Sequence, residues 1–310
     1  MTDNTAVIKK IKEVVASDRV LEGELMSTHT SFRIGGPADA LVVVNNEEEL
    51  AAVLKLVTEM EAEHLLIGNG SNFLVADEGY PGIMIKLSGD FEDISQDEND
   101  RTFVTAGGAR LLSSVSAYLT ERGLAGFEFA SGIPGSIGGA MFMNAGAYGG
   151  EMKDIVVSVR LMTADGAEIF ERTNEEMQFA YRHSSIQEDD NIVLSATFKL
   201  SEDEPSEIAA RVSELQQKRN SKQPVNYPSA GSTFKRPVVG FAAALIDQAG
   251  LRGTSVGGAQ VSEKHAGFVI NTGGATAEDV LELMRIIRKT VYEKDGIMLE
   301  PEVRLINCQL

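Results

Sequence analysis

The sequence has one cysteine, no tryptophan and no long apolar run, and these absences exclude whole classes of protein. The single cysteine, Cys308, excludes a disulfide framework and a cysteine-based metal centre. No stretch approaches the ~20 apolar residues that a membrane-spanning helix needs. The first 20 residues contain no apolar run long enough for a signal peptide. We therefore expect a cytoplasmic protein with no metal site and no membrane association.

Positive charge is also scarce. The chain has 28 Lys and Arg against 46 Asp and Glu, a net charge of −18. Such a chain, without a dense basic block, is poorly suited to nucleic acid or to a membrane surface. An anionic ligand would need locally placed cations or backbone amides. The 310 residues are enough for two or three domains.

The common phosphate-binding fingerprints are missing. No GxxxxGK[ST] occurs, which excludes a P-loop, and no complete GxGxxG occurs. Gly68 and Gly70 begin such a pattern, but Phe73 stands where the third glycine should be. A Rossmann-type dinucleotide site is therefore not expected.

Hydrophobic periodicity indicates mixed helices and strands. Residues 31–88 are typical of a β-α-β-β unit, with a helix capped by Asn46. We interpret the acidic stretch 88–101 as a surface loop and a subdomain boundary. A hairpin is predicted around Asp165-Gly166.

The C-terminal third predicts a separate unit. A polar, mostly helical stretch over 201–222 is a connector into it. Thr276 with Asp279 three residues on is similar to a capping box and predicts a long helix. A terminal strand is expected over 297–306.

Glycine is concentrated in two segments. GNGSN (68–72) follows an apolar strand, and successive amides in such a turn form a donor nest suited to pyrophosphate. GIPGSIGGAMFMNAGAYGGE (132–151) combines glycines with core-type Ile, Met and Phe. Small residues over a run that still packs fit a flat ligand laid against the backbone. The alternatives are a plain turn for the first segment and close packing of two elements for the second.

Three further stretches contain residues suited to catalysis. YRHSS (181–185) contains Arg182, a permanent cation able to stabilise an oxyanion, beside His183. SAGSTFKRP (229–237) contains Ser232 near two cations, where a hydroxyl could protonate a carbanion, although no GxSxG surrounds it. LEPEVRLI (299–306) presents Glu300 and Glu302 on one strand face. The alternatives are a solvated arginine, a basic turn and a solvated face.

The order of these motifs is more specific than any one of them. TSFRIGGPAD, GNGSN, GIPGSIGGAMFMNAGAYGGE, YRHSS, AGSTFKRP, GGAQVSEKHAGFVIN and LEPEVRLI together closely resemble the UDP-N-acetylenolpyruvoylglucosamine reductase family. These flavoenzymes make UDP-N-acetylmuramate for bacterial peptidoglycan. The resemblance runs from about residue 31 to residue 306. The short spacing after YRHSS is similar to the family's shorter class, which lacks a tyrosine-bearing insertion.

The resemblance implies an α+β fold. A two-subdomain FAD-binding domain of the vanillyl-alcohol-oxidase (PCMH) type precedes a C-terminal α+β substrate domain. We place the segments at 1–95 (N-terminal helix and first FAD-binding subdomain), 96–205 (second FAD-binding subdomain) and 206–310 (substrate-binding domain). Neither glycine segment contains His or Cys, so the flavin is expected to be non-covalent. The implied cofactor-binding residues are Gly68, Asn69, Gly70, Ser71, Asn72, Gly132, Pro134, Gly135, Ser136, Gly138, Gly139, Asn144, Gly146, Ala147 and Tyr148.

The resemblance also implies residue roles. The catalytic residues are Ser232, Arg182 and Glu302, with Glu300 an alternative to Glu302. NADPH reduces FAD and leaves, and UDP-N-acetylglucosamine enolpyruvate enters the same cleft. Hydride adds to the vinyl carbon, Arg182 and Glu302 polarise the carboxylate, and Ser232 protonates the adjacent carbon. The implied substrate contacts are Tyr181, Lys222, Lys235, His265 and Asn271.

Two other functions are compatible with the same motifs. A flavin oxidase of the same fold would use oxygen, but the basic STFKRP turn favours a diphosphate-bearing substrate. A non-catalytic flavin or nucleotide-sugar binding protein would not need Ser232, Arg182 and Glu302 together. A monomer is expected.

Overall fold

The computed structural model describes residues 4–310. Within them lie eight α-helices: α1 (Thr5–Val14), α2 (Glu47–Glu59), α3 (Leu112–Glu121), α4 (Ile137–Met143), α5 (Ile186–Asp189), α6 (Pro205–Lys222), α7 (Ala242–Gln248) and α8 (Ala277–Asp295). The strands of the same residues are β1 (Val20–Glu22), β2 (Ala38–Val44), β3 (His64–Leu66), β4 (Phe73–Val75), β5 (Tyr80–Leu87), β6 (Ile94–Gln96), β7 (Phe103–Gly107), β8 (Leu124–Ala125), β9 (Gly146–Ala147), β10 (Gly150–Glu151), β11 (Val156–Met162), β12 (Ile169–Thr173), β13 (Ile192–Lys199), β14 (Ser201–Glu202), β15 (Ser255–Val256), β16 (Ala259–Val261), β17 (Val269–Asn271) and β18 (Arg304–Ile306).

The described chain forms two compact units that are discontinuous in sequence. The first unit contains residues 4–22, 40–69 and 82–218, and the second contains 23–39, 70–81 and 219–310. The first unit has two hydrophobic clusters and the second has one. None of the helices within 4–310 has both the length and the apolarity needed to cross a membrane.

One cluster of the first unit lies between helices α1 and α2 and a four-stranded sheet of order β1-β2-β5-β3. The predicted cap of α2 is confirmed, because the Asn46 side chain accepts a hydrogen bond from the Glu49 amide at 2.9 Å. Leu50, Val53 and Leu54 are fully buried on the core face of α2. The 3.6-residue periodicity therefore predicted this helix and its buried face correctly.

The other cluster of the first unit packs on a five-stranded sheet of order β12-β11-β13-β7-β6. The predicted hairpin is confirmed by the antiparallel pairing of β11 with β12, and Gly166 has the positive φ of 74° that its turn requires. The expectation of a plain loop over 88–101 is wrong. That stretch contains β6, in which Ile94 pairs with Ala106, and the buried Phe91. A three-residue strand among acidic residues is too short to give a periodic signal.

The core of the second unit surrounds helix α8 and the sheet of order β15-β16-β17. The predicted capping box is confirmed: Thr276 accepts from the Asp279 amide, and Asp279 accepts from the Thr276 amide. Asp77 adds a second cap that no local pattern indicated. Its carboxylate accepts from the amides of Ala277 at 2.7 Å and Glu278 at 3.1 Å. Negative charge at this end of a helix is favourable because of the helix dipole.

The terminal strand is shorter than expected. Only β18 (Arg304–Ile306) is regular, and it pairs in parallel with β4. Residues 297–303 are irregular apart from a single bridge between Pro301 and Phe234. Pro301 has no amide hydrogen, which prevents a continuous ladder there.

Candidate active site

The second glycine segment contains a helix, α4, that its composition did not indicate. Ser136 caps it by accepting from the Gly139 amide at 3.5 Å. Ile137, Ala140 and Met141 are buried in the cluster around the five-stranded sheet. Their spacing is that of one helix face, but two adjacent glycines lower helix propensity and hide the pattern.

The glycines of this segment differ in what surrounds them. A Cβ added at Gly138 would lie 3.1 Å from the carbonyl oxygen of Gly108. A Cβ at Gly146 would lie 2.7 Å from a backbone carbonyl oxygen. A Cβ at Gly139 would meet only the Ser136 hydroxyl, at 3.7 Å, and Gly139 is exposed. Packing therefore leaves no room for a side chain at Gly146 and little at Gly138, whereas Gly139 presents bare backbone to open space.

The structure brings the start of the first glycine segment against the second. The Asn69 side-chain amide donates to the Pro134 carbonyl at 2.7 Å. A Cβ at Gly68 would lie 2.7 Å from the Ser136 hydroxyl oxygen. Gly68, Asn69 and Gly139 are exposed in the same part of the first unit. Two segments more than 60 residues apart in the sequence therefore form one surface of small residues and backbone.

The rest of GNGSN, residues 70–72, belongs to the second unit. Gly70 has φ 59°, and a Cβ there would lie 2.0 Å from the His29 carbonyl oxygen, so only glycine fits. Asn72 donates from its side chain to the Glu302 carbonyl at 3.1 Å. Asn72 therefore supports the segment that contains Glu302.

Two buried polar atoms lie beside the surface formed by Gly68, Asn69 and Gly139, and their lack of partners in the described part of the chain indicates that this surface suits a cofactor. Ser131 Oγ and Arg110 Nε have no hydrogen-bond partner within residues 4–310. Ser131 immediately precedes Gly132, and the Arg110 carbonyl accepts from the Ile137 amide at 2.9 Å. Because buried polar groups are normally paired, polar atoms of a dinucleotide cofactor fit as the partners of these two groups. Motif analysis indicated neither residue.

Arg182 lies in a tight turn of the first unit. The amide of Ala180 donates to the His183 carbonyl at 3.0 Å, and the His183 amide donates back at 3.2 Å. Arg182 has φ 54°, in the left-handed region that costs a non-glycine residue roughly 1–2 kcal/mol. Its guanidinium carbon lies 5.2 Å from the centre of the Tyr181 ring. Tyr181 is half exposed, and the turn therefore presents a cation and an aromatic ring at the surface of its unit.

Three other predicted cofactor residues lie just after α4. Asn144 is 1% exposed and has the left-handed φ of 40° that ends the helix. Its side chain bonds only to neighbouring protein groups, so it forms part of the framework. Ala147 and Tyr148 lie in the small β9–β10 hairpin, where Tyr148 has φ 54° and is exposed.

In the second unit, a backbone ladder holds the Ser232 turn. The Thr233 amide donates to the Gly267 carbonyl at 2.9 Å, and the Thr233 carbonyl accepts from the Glu302 amide at 2.9 Å. The Thr233 hydroxyl accepts from the Val269 amide at 3.0 Å. Ser232 precedes this fixed residue, so its backbone lies beside that of Glu302. The structure thus brings together two of the three predicted catalytic residues.

His265 lies next to the same ladder. Its Nδ1 accepts from the Gly267 amide at 3.2 Å, and because an amide can only donate, the ring proton of the neutral form is on Nε2. Burial lowers the pKa of His265 below its ordinary value of 6.5. The Phe268 ring stacks edge-on at 5.0 Å between centroids. His265 is therefore a neutral donor through Nε2 near pH 7.

The remaining predicted substrate contacts have different surroundings. Asn271 is 7% exposed; its side chain donates to Phe32 and accepts from the amides of Gly273 and Ala275, which leaves one amide hydrogen. Lys235 lies 3.9 Å from the Glu300 carboxylate. Glu300 is 76% exposed, whereas Glu302 is half-buried, so Glu302 has the more enclosed side chain. Lys222 is exposed at the end of α6.

The comparisons with known proteins identify the family and its two domain models. One family model, described as an FAD binding domain, matches residues 38–170, and another, UDP-N-acetylenolpyruvoylglucosamine reductase C-terminal domain, matches residues 223–306. A curated UDP-N-acetylenolpyruvoylglucosamine reductase from Lachnoclostridium phytofermentans is 48% identical over 304 residues, 98% of each chain. One from Clostridioides difficile is 50% identical over 98% of this chain and 99% of that relative. The solved structure of the Thermus caldophilus enzyme has a TM-score of 0.79 and 37% identity, covering 93% of this chain and 99% of that one.

These findings confirm the predicted fold class. The chain is α+β, with an FAD-binding domain followed by the C-terminal domain of the reductase family.

Proposed function

Because the chain belongs to the UDP-N-acetylenolpyruvoylglucosamine reductase family, we propose that Ser232, Arg182 and Glu302 are the catalytic residues of that reaction in this protein. The chain is an FAD-binding oxidoreductase of peptidoglycan precursor synthesis, with NADPH as the reductant. Its proposed substrate is UDP-N-acetylglucosamine enolpyruvate, and its proposed product is UDP-N-acetylmuramate.

Bound FAD, once reduced by NADPH, supplies the hydride for the terminal carbon of the enolpyruvyl group. In the first unit, the residues that fit FAD are Gly68, Asn69, Gly139, Arg110 and Ser131. Backbone amides and bare glycine Cα atoms allow a flat ring and its phosphates to approach closely. The absence of His and Cys from both glycine segments supports non-covalent attachment.

The catalytic side chains act on the charge and the proton. Hydride addition to the vinyl carbon leaves negative charge on the substrate carboxylate as an enolate. Arg182 stabilises that charge, since a guanidinium remains protonated at all working pH values. Glu302 holds the carboxyl end of the substrate. Ser232 then donates its hydroxyl proton to the carbon beside the carboxylate, which completes the addition of H⁻ and H⁺ across the double bond.

The observation that carries this proposal is the ladder at Thr233, which sets the backbone of Ser232 beside that of Glu302. A catalytic pair must be held within a few tenths of an ångström of its working geometry. The two backbone bonds and the bond to the buried Thr233 hydroxyl hold the turn in one geometry.

Replacing Ser232 with alanine tests the proposal by separating the two half-reactions. NADPH reduction of FAD does not use the serine proton, so flavin bleaching should stay within about threefold of the unaltered protein. Reoxidation by the enolpyruvyl sugar should fall by at least ~10²-fold, as for loss of a positioned general acid. Stopped-flow absorbance of the oxidised flavin band measures both rates.

Ser232→Cys is the matched control, since a thiol can donate a proton from nearly the same place and should restore part of the rate. If Ser232→Ala slows both half-reactions equally, the serine positions the flavin and the proton-donor role is wrong. Rapid reoxidation by oxygen without the sugar would instead favour a flavin oxidase.

The remaining assignments stay proposals. We propose contacts to the substrate from Tyr181, Lys222, Lys235, His265 and Asn271, of which His265 is best supported by its Nε2 donor. The segments 1–95, 96–205 and 206–310 stay a prediction; the cluster around α8 also contains Phe32, Ile34 and Leu74. We also propose that the protein is a cytoplasmic monomer. We propose that it binds neither nucleic acid nor membrane, and its net charge of −18 supports this second point.

A further inference from the structure

Asn144, at the end of helix α4, uses its whole side chain on protein groups. Its two amide hydrogens go to the Glu151 carboxylate at 2.7 Å and to the Ala180 carbonyl at 3.0 Å. Its oxygen accepts from the Lys153 amide at 3.0 Å. At 1% exposure it has no hydrogen left for a ligand. The bond to Ala180 reaches the first residue of the turn that presents Arg182.

Gln187 holds the same turn from the other side. Its side-chain amide donates to the Arg182 carbonyl at 3.1 Å and to the Phe142 carbonyl at 2.7 Å. The Ser184 hydroxyl also donates to the Phe142 carbonyl, at 2.8 Å. Phe142 belongs to the last turn of α4, where carbonyls have no partner within the helix. These side chains therefore tie the arginine turn to the C-terminal end of α4.

The turn needs such support because of its backbone. Arg182 has φ 54°, which is unfavourable for a residue with a side chain, and such a conformation persists only where the surroundings hold it. The opposite end of α4 carries Gly139, whose bare backbone faces open space. A helix of seven residues is about 10 Å long, so it forms a short rigid link between the glycine surface and the arginine.

We propose that Asn144 and Gln187 are positioning residues: they fix the Arg182 guanidinium relative to the cofactor surface through helix α4, and they contact neither cofactor nor substrate. This inference rests on the proposed catalytic role of Arg182. It also replaces the sequence-based prediction that Asn144 binds FAD.

A double-mutant cycle on the holoenzyme tests the inference, with Asn144→Gly and Arg182→Ala. Glycine keeps the left-handed backbone and removes only the amide bridge. Asn144→Gly should slow flavin reoxidation by the enolpyruvyl sugar about 10-fold, and Arg182→Ala about 10²-fold. The double variant should be no slower than Arg182→Ala alone, because Asn144 acts through the arginine. FAD retention and NADPH reduction should not change.

Trypsin gives a readout that does not depend on activity. Release of the turn should speed cleavage after Arg182 in Asn144→Gly holoenzyme several-fold, detected as a new N-terminus at His183. Glu151→Gln is the control, since it keeps an acceptor for Asn144 and leaves the bond to Ala180 intact; its cleavage and reoxidation rates should be close to those of the unaltered protein.

Gln187→Glu gives the same cycle if Asn144→Gly does not fold, because it removes the bonds to the Arg182 and Phe142 carbonyls with little change of shape. The inference is overturned if Asn144→Gly loses FAD. It is also overturned if Asn144→Gly slows reoxidation by the same factor in Arg182→Ala as in the protein that keeps Arg182. If Arg182→Ala leaves reoxidation unchanged, the proposed role of Arg182 fails first and the inference fails with it.

Discussion

The glycine segment around α4 and the turn around Ser232 are both glycine-containing stretches with a proposed function, but they are built by different means. Around α4 the glycines differ in the space beside them. A Cβ at Gly138 would lie 3.1 Å from the Gly108 carbonyl oxygen, whereas a Cβ at Gly139 would meet only the Ser136 hydroxyl. Around Ser232 the turn is held by backbone bonds of Thr233 and by a bond to the Thr233 hydroxyl. The comparison teaches that a glycine count does not distinguish positions closed by packing from positions with open space beside them.

The largest effect is expected from valine at the open glycine. Gly139→Val meets only the Ser136 hydroxyl inside the protein, so the chain should fold, yet its side chain would occupy the surface proposed for FAD. We expect purified protein without bound flavin and without reductase activity. Absorbance at the flavin band, with circular dichroism to verify folding, measures this.

Gly138→Val provides the contrast, because its Cβ begins 3.1 Å from a backbone oxygen. Overpacking of this kind typically costs about 1–3 kcal/mol. We therefore expect Gly138→Val to lower the thermal stability more than it lowers the flavin affinity. Full flavin occupancy in folded Gly139→Val would show that the open glycine does not face the cofactor, and the packing explanation would then cover the whole segment.

An intermediate effect is expected from Thr233→Val in the ladder. Valine keeps the shape but removes the hydroxyl that accepts from the Val269 amide, and leaves that amide buried without a partner. We expect the free energy of unfolding to fall by about 1–3 kcal/mol. Reoxidation by the enolpyruvyl sugar should slow as well, because Ser232 and Glu302 lose their common support.

Thr233→Ser is the matched control, since serine retains the acceptor. Urea unfolding and stopped-flow reoxidation measure the two quantities. Equal stability of Thr233→Val and the unaltered protein would mean that the two backbone bonds of Thr233 suffice to hold the turn.

The smallest effect concerns pH and His265. Burial lowers the pKa of His265 in the folded protein below 6.5, so the unfolded chain binds a proton more readily. The contribution to stability is present above pH 6.5 and is lost as the pH falls from 6.5 towards the folded pKa. His265→Gln should therefore reduce the fall in thermal stability over that pH range, as measured by melting temperature against pH.

His29, in the same unit, pairs with Glu24 at 2.8 Å and gives a comparison variant, His29→Gln. The effect is assigned to His265 if His265→Gln changes the slope more than His29→Gln does. An unchanged slope in His265→Gln would mean that another group titrates in that range.

Local patterns predicted the regular elements well. The caps at Asn46 and Thr276, the hairpin at Gly166 and the strand Ala38–Val44 depend on residues within a few positions of each other, and all are confirmed. Helix α4 was missed because glycine lowers helix propensity, and tertiary packing of Ile137 and Met141 compensates. Strand β6 was missed because its stability comes from pairing with β7.

In the candidate site, too, the sequence determined some features and the tertiary structure determined others. The sequence by itself determined the family and the order of its two domains, since these depend on residue type and motif order. The catalytic residues that it indicates stay a proposal. Only the tertiary structure decided that Gly139 rather than Gly138 is open, and that the Asn144 side chain donates to the Ala180 carbonyl. It also decided that Thr233, which follows Ser232, is bonded to the backbone of Glu302. The physical reason is that hydrogen bonds and van der Waals contacts act over a few ångströms in space, and these partners are up to 70 positions apart along the chain.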